Sequence, residues 1–122
     1  MDRARFIGLV RQALRDVPPP FKQHLREVDI VVKRRPGPDD LRAAGLPPGD
    51  SMYGFYRGVP LTERGASHNM TLPDIIHIYQ EPLEEDFPRE RELVEEIRTT
   101  VLHEIAHFFG IDDDRLEELG RG

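Results

Sequence analysis

The chain contains no cysteine. Disulfide frameworks, zinc ribbons, iron–sulfur clusters and thiol nucleophiles are thereby excluded, and any metal has to be held by His, Asp or Glu. Long hydrophobic runs are absent too. The longest apolar stretch is Phe6 to Val10, whereas a membrane span needs about 20 such residues and a signal-peptide core about 7–15. A soluble, cytoplasmic protein with no membrane partner is therefore expected. Positive charge is scarce. With 23 acidic and 17 basic residues the formal charge is −6, and Lys33-Arg34-Arg35 is the nearest thing to a basic stripe. Nucleic acid is disfavoured as a main partner on that balance. The 11 Pro and 10 Gly among 122 residues fall below the roughly 25–30% of low-complexity chains. Apolar residues make up 38%, enough for one compact core and too little for two. One domain over 1–122 is expected, with a monomer as the default state.

What is present reads as alternating helix and strand signals. Phe6, Leu9, Val10, Ala13 and Leu14 have helical spacing within Asp2 to Asp16, and the prolines from Pro18 end that helix. Val28, Ile30 and Val32 alternate with Asp29, Val31 and Lys33, predicting a half-buried strand over Glu27 to Arg34. Asp39 to Gly49 reads as a loop with room for a short helical turn. Tyr53 to Tyr56 is a short second strand, and Thr62 to Met70 a polar connection. The β-branched run within Pro73 to Gln80 predicts a strand buried on at least one face. Pro82 to Asp86 reads as an acidic connector.

A long helix is predicted from Pro88 to Phe109, with Pro88 in its first turn and Glu90, Glu92, Glu95 and Glu96 on the favourable side of the helix dipole. Gly110 suits the left-handed residue that ends many helices. A short last helix follows over Arg115 to Leu119, with Asp114 and Glu117 as its capping box. The order is helix, three strands, helix, short helix.

The chemistry concentrates in His103-Glu104-Ile105-Ala106-His107. Histidines four residues apart on a helix project from one face, one turn apart. That spacing lets both imidazoles reach one zinc ion. Glu104 lies about 100° around the helix from His103, at the border of the metal face, where it can take a proton from a metal-activated water. For this composition the five-residue pattern arises by chance in roughly 2% of chains, and extension through Gly110 and Asp113 lowers that to about 1 in 7,000.

Val94, Ile97, Val101, Ile105 and Phe108 form one apolar face, widened by Leu102 and Phe109. The histidines sit at its margin, where polar atoms need partners. A catalytic zinc takes three protein ligands and keeps one position open. Asp112, Asp113 and Asp114 compete for the third place. Asp114 is taken by its capping role, Asp112 is closer to the turn, and Asp113, six residues past His107, is preferred. His68, His77 and His24 are outside candidates.

His103-Glu104-x-x-His107-x-x-Gly110-x-x-Asp113 resembles the elongated motif of the metzincin peptidases, with Asp in place of the usual third His. The match is closer to a family of very small bacterial zincin-like metallopeptidases. Gly54-Phe55-Tyr56, Val59 to Gly65, Ile78-Tyr79-Gln80 and His103 to Gly120 look like its signature segments. The resemblance implies an α+β fold with a short mixed sheet packed on the motif helix. It also implies that His103, His107 and Asp113 bind zinc and that Glu104 is the general base.

Unlike metzincins, the chain has no methionine beyond Met70, so no methionine turn can lie beneath the metal. With so little chain after Asp113, a shallow site for short or unfolded peptides is expected. Zincins commonly lay substrate along an edge strand beside the motif helix, and Asp74 to Gln80 is either that edge or an ordinary central strand.

Two other functions compete with a zinc-dependent peptidase. A bacterial endoribonuclease family of similar size shares His-x-x-x-His-x-x-Gly, but with Gly after the first His and a third His at the end. Glu104, Asp113 and the negative charge favour the peptidase. A non-catalytic metal-binding or regulatory module fits the small size, but it has no need of Glu104.

Overall fold

The structure, a computed structural model, describes residues 1–58 and 74–109. Helix α1 spans Arg3–Arg15, and the Asp2 side chain caps it by accepting the Arg5 N–H at 2.7 Å. Its stripe of Phe6, Leu9, Val10 and Ala13 is buried as the spacing predicts. After the prolines comes a short helix that the sequence does not announce, α2 (Phe21–His24), continued by a 3-10 turn over Leu25–Glu27. Strand β1 follows (Asp29–Lys33), then α3 (Pro38–Ala43), the helical turn inside the expected loop, then β2 (Gly54–Arg57) and β3 (Ile75–Tyr79).

The segment expected as an acidic connector is helical. Helix α4 (Gln80–Asp86) leaves β3 directly and buries Pro82 and Leu83. Proline is tolerated there because first-turn N–H groups have no partner within the helix. The long helix α5 runs Glu90–Phe108, so Pro88 precedes it rather than opening it. Its buried face contains Leu93, Ile97, Val101 and Ile105. Val94, placed in that face by the spacing, is only half-buried.

The three strands form a mixed sheet in the order β1-β3-β2, with β1 parallel and β2 antiparallel to β3. Of the two readings of Asp74 to Gln80, the central strand is therefore the one the pairing bears out, and the substrate-binding edge is not. Its dense β-branched run reflects burial between two neighbours. Among the described residues β1 and β2, not β3, each have one side without a paired strand, and β2 is the one beside α5.

Side chains alternate across the sheet. Ile76 and Ile78 of β3 join the core with α1 and α5, together with Val32 of β1. Each such side chain removed from water contributes roughly 1.5–3 kcal/mol. This core fixes α5 against the sheet, and α5 carries the His-Glu-x-x-His motif. The architecture is α+β, a small mixed sheet packed on the motif helix. No helix among the described residues is long and apolar enough to cross a membrane.

Candidate active site

Helix α5 meets the sheet at β2. Gly54 makes this approach possible: a Cβ there would lie 2.6 Å from Thr100 Cγ2 and 3.0 Å from the His77 carbonyl oxygen. Two residues on, the Tyr56 N–H donates to Glu104 Oε1 at 2.8 Å. The carboxylate expected to act as base is thus held by the backbone of β2.

His103 and Glu104 are half-buried and His107 is exposed. They occupy consecutive turns at the C-terminal end of α5, where about 6 Å of helix rise separates the two histidines. A cavity of about 170 Å³ opens between strand and helix, lined by Phe55, Tyr56, Gly58, Glu104, His107 and Phe108. Glu104 and His107 therefore share one opening.

His103 and His107, one turn apart on α5, carry nitrogen donors of the kind zinc takes, His107 exposed and lining that opening and His103 half-buried. Among the described residues no group of three His, Asp or Glu side chains converges as a complete ligand set. Asp113, Asp112 and Asp114, like Gly110 and His68, lie outside the described residues. So do the segment expected as a last helix, Arg115 to Leu119, the expected connection Thr62 to Met70, and the Val59 to Gly65 segment.

The two other described histidines lie on opposite faces of the sheet. His77 belongs to the sheet face opposite α5, where its Nδ1 lies 3.8 Å from Asp40 and 3.4 Å from the Tyr79 hydroxyl. Asp40 of α3 is only 2% exposed. It accepts from the Gly37 N–H at 3.1 Å and from Lys33 Nζ at 3.1 and 3.2 Å. Burial alone would push its carboxyl up, but the Gly37 N–H and the Lys33 ammonium outweigh it and hold the group below its ordinary value. Burial, helped by the Lys33 and Arg57 charges, pushes the His77 imidazole down against the pull of Asp40. Burial and the Asp40 carboxylate together push the Tyr79 phenol up. This polar cluster ties α3 to the outer face of the sheet and is separate from the motif.

His24 stands on the motif side. Its ring stacks on Phe108 at 4.2 Å between centroids, and its Nε2 lies 3.1 Å from the Tyr56 hydroxyl. Tyr56 also reaches Asp74, its hydroxyl donating to Oδ2 at 2.9 Å. Tyr56 and Asp74 carry no motif spacing of their own. The nearest sequence signal was Gly54-Phe55-Tyr56 among the segments of resemblance.

Residues 25–122 match the zincin-like metallopeptidase family. The chain belongs to that family. This zincin-like chain is also similar in structure to a conserved hypothetical protein from Thermus thermophilus. The TM-score is 0.54 and the identity 27%, with 99% of this chain and 100% of that one covered. No curated protein matches the chain.

Proposed function

We propose that this zincin-like chain is a zinc-dependent metallopeptidase acting on short or unfolded peptides. His103, His107 and Asp113 hold the metal, and Glu104 is the general base. The observation that carries the reading is the Tyr56 N–H bond to Glu104 Oε1 at 2.8 Å, because it joins the candidate base to β2, the outer strand beside the motif helix, which takes the substrate-binding place first considered for Asp74 to Gln80. Zinc, when bound, supplies the Lewis acid that acidifies water and polarises the peptide carbonyl.

The chain's own residues account for the rest. Glu104 takes the proton of the attacking water as its oxygen bonds to the carbonyl carbon. It then delivers that proton to the amide nitrogen as the C–N bond breaks. In an antiparallel pair a residue's N–H and C=O point to the same side. The Tyr56 N–H points to Glu104, so its carbonyl faces away from β3 as well. A peptide laid along the cleft between β2 and α5 would pass beside Glu104 and His107, its affinity coming from main-chain groups rather than from sequence.

The cavity, at about 170 Å³, is below the roughly 300–1,000 Å³ of enclosed ligand pockets. That size suits an open site with little side-chain selection. It is also the observation that keeps a non-catalytic metal-binding module as the second reading. Hydrolysis of an unfolded casein-like protein, measured with zinc, after chelation and after zinc is restored, tests the proposal. Loss and recovery of cleavage are expected. Tight zinc binding with no cleavage favours the module.

A further inference from the structure

The N–H that holds Glu104 belongs to a residue tied down at three more points. The Tyr56 hydroxyl donates to Asp74 Oδ2 at 2.9 Å and lies 3.1 Å from His24 Nε2. Since its single proton goes to Asp74, the contact with His24 needs Nε2–H as donor. The order is then His24 to Tyr56 to Asp74. The Tyr56 ring stacks on Phe108 with centroids 5.2 Å apart and planes 25° apart. The His24 ring stacks on the same Phe108 at 4.2 Å and 21°. Phe108 directly follows His107.

Space is kept for this arrangement. A Cβ on Gly58 would collide with the Asp74 carboxylate and lie 2.9 Å from Tyr56 Cε1. Asp74 itself is 9% exposed, and a carboxylate so buried needs donors. The sheet does not require the Tyr56 hydroxyl, because β2 is already paired along β3 from Gly54 to Arg57.

We propose that Tyr56 is a positioning residue. The His24–Tyr56–Asp74 chain holds β2 where its backbone reaches Glu104 and seats the Phe108 ring beside His107, so that base and imidazole share one frame. The activity part of this inference rests on the proposed peptidase reading. The structural part does not.

Tyr56→Phe keeps the ring on Phe108 and deletes only the hydroxyl. Amide hydrogen exchange, read by NMR on the zinc-free and the zinc-loaded protein, reports the strength of the hold on Glu104. Exchange at the residue-56 amide, corrected for the side-chain change, should speed up by about tenfold. The β3 amides of Ile76 and Ile78 should keep their rates. Tyr79→Phe, the same deletion on the opposite face, should change residue-56 exchange by less than about twofold. Asp74→Asn retains an acceptor oxygen and should give an intermediate rise of about threefold. It also serves as the second variant if Tyr56→Phe does not fold.

In the peptide assay Tyr56→Phe should lower kcat by about tenfold with KM and zinc content unchanged. Equal residue-56 exchange in wild type and Tyr56→Phe, or an equal rise in Tyr79→Phe, overturns the proposal. If exchange responds as stated while the zinc-loaded wild type cleaves nothing, Tyr56 positions Glu104 and the peptidase reading is what fails. If wild-type cleavage needs Glu104 but Tyr56→Phe matches wild type in rate and exchange, the peptidase reading stands and the positioning role is refuted.

Discussion

Gly54 and Thr100 stand so close that any side chain at position 54 would meet the motif helix, a Cβ lying 2.6 Å from Thr100 Cγ2. Gly54→Ala should destabilise the protein by about 1–3 kcal/mol through overpacking. It should also weaken the nearby bond to Glu104 by pushing β2 outward. Thr100→Ser removes the obstructing methyl, so the double variant should recover part of the loss. Urea unfolding of the two single variants and the double variant checks this. A neutral Gly54→Ala would show that strand and helix are less tightly apposed.

The two histidines should matter to the metal and little to the fold. His103 is half-buried and His107 exposed, so replacing either by Ala should change the stability of the metal-free protein by no more than about 1 kcal/mol. Each replacement should abolish the binding of about one zinc per chain, because losing one of three protein ligands weakens a site severely. Metal analysis of protein purified without added metal decides the matter. Unchanged zinc in both variants removes the site.

Among the three consecutive aspartates, Asp113→Ala is expected to weaken zinc binding most. Asp114→Ala should chiefly cost the cap of the last predicted helix, about 0.5–2 kcal/mol of stability. Zinc titration of the three single variants separates them. Release of metal by Asp112→Ala alone would move the third ligand one residue nearer the turn.

Acid should weaken the fold in two stages, both through the cluster on the outer face of the sheet. The His77 imidazole is held below its ordinary 6.5 in the folded state. The unfolded chain therefore binds more protons as pH drops past that value, and stability falls with it. The Asp40 carboxyl is held below its ordinary 3.8, so its contribution is present above that value and lost as pH falls through the folded-state one. His77→Gln should flatten the first stage. Asp40→Asn should remove the second and lower stability at neutral pH by about 1–3 kcal/mol. Unfolding free energies measured from pH 2 to pH 8 test both, and a wild-type curve that rises on acidification would contradict them.

Local patterns in the sequence carried the helices well and the sheet less well. Phe6, Leu9, Val10 and Ala13 announce α1 because burial on one helical face leaves a spacing that neighbours in the chain record. The same rule put Val94 in the core of α5, where Leu93 is the buried residue, since spacings of three and four admit either. A β-branched run marks β3 as a buried strand. Its central place depends on Asp29–Lys33 and Gly54–Arg57 pairing with it from distant parts of the chain. No local signal states that order.

Helix α4 reads as a connector because its run of acidic charges masks a face on which Gln80, Pro82 and Leu83 are buried. Glu81, one of those charges, pairs with Arg34 and Arg35. In the candidate site, His103, Glu104 and His107 are readable as a spacing, but the hold of Tyr56 on Glu104 spans 48 residues. Such a contact exists only once the sheet has formed.

Glu104→Gln is the most direct test of the central claim, that Glu104 is the general base of a zinc peptidase. The amide nearly matches the carboxylate in shape, and its oxygen can still accept the Tyr56 N–H, so fold and zinc binding should persist. It cannot take a proton, and loss of a general base typically costs about 10²–10⁴ in rate. Wild type and variant should be compared at matched zinc occupancy on an unfolded casein-like protein and a mixed peptide library. The account predicts equal zinc content, with cleavage by wild type and essentially none by Glu104→Gln. Equal cleavage by the two proteins would contradict it.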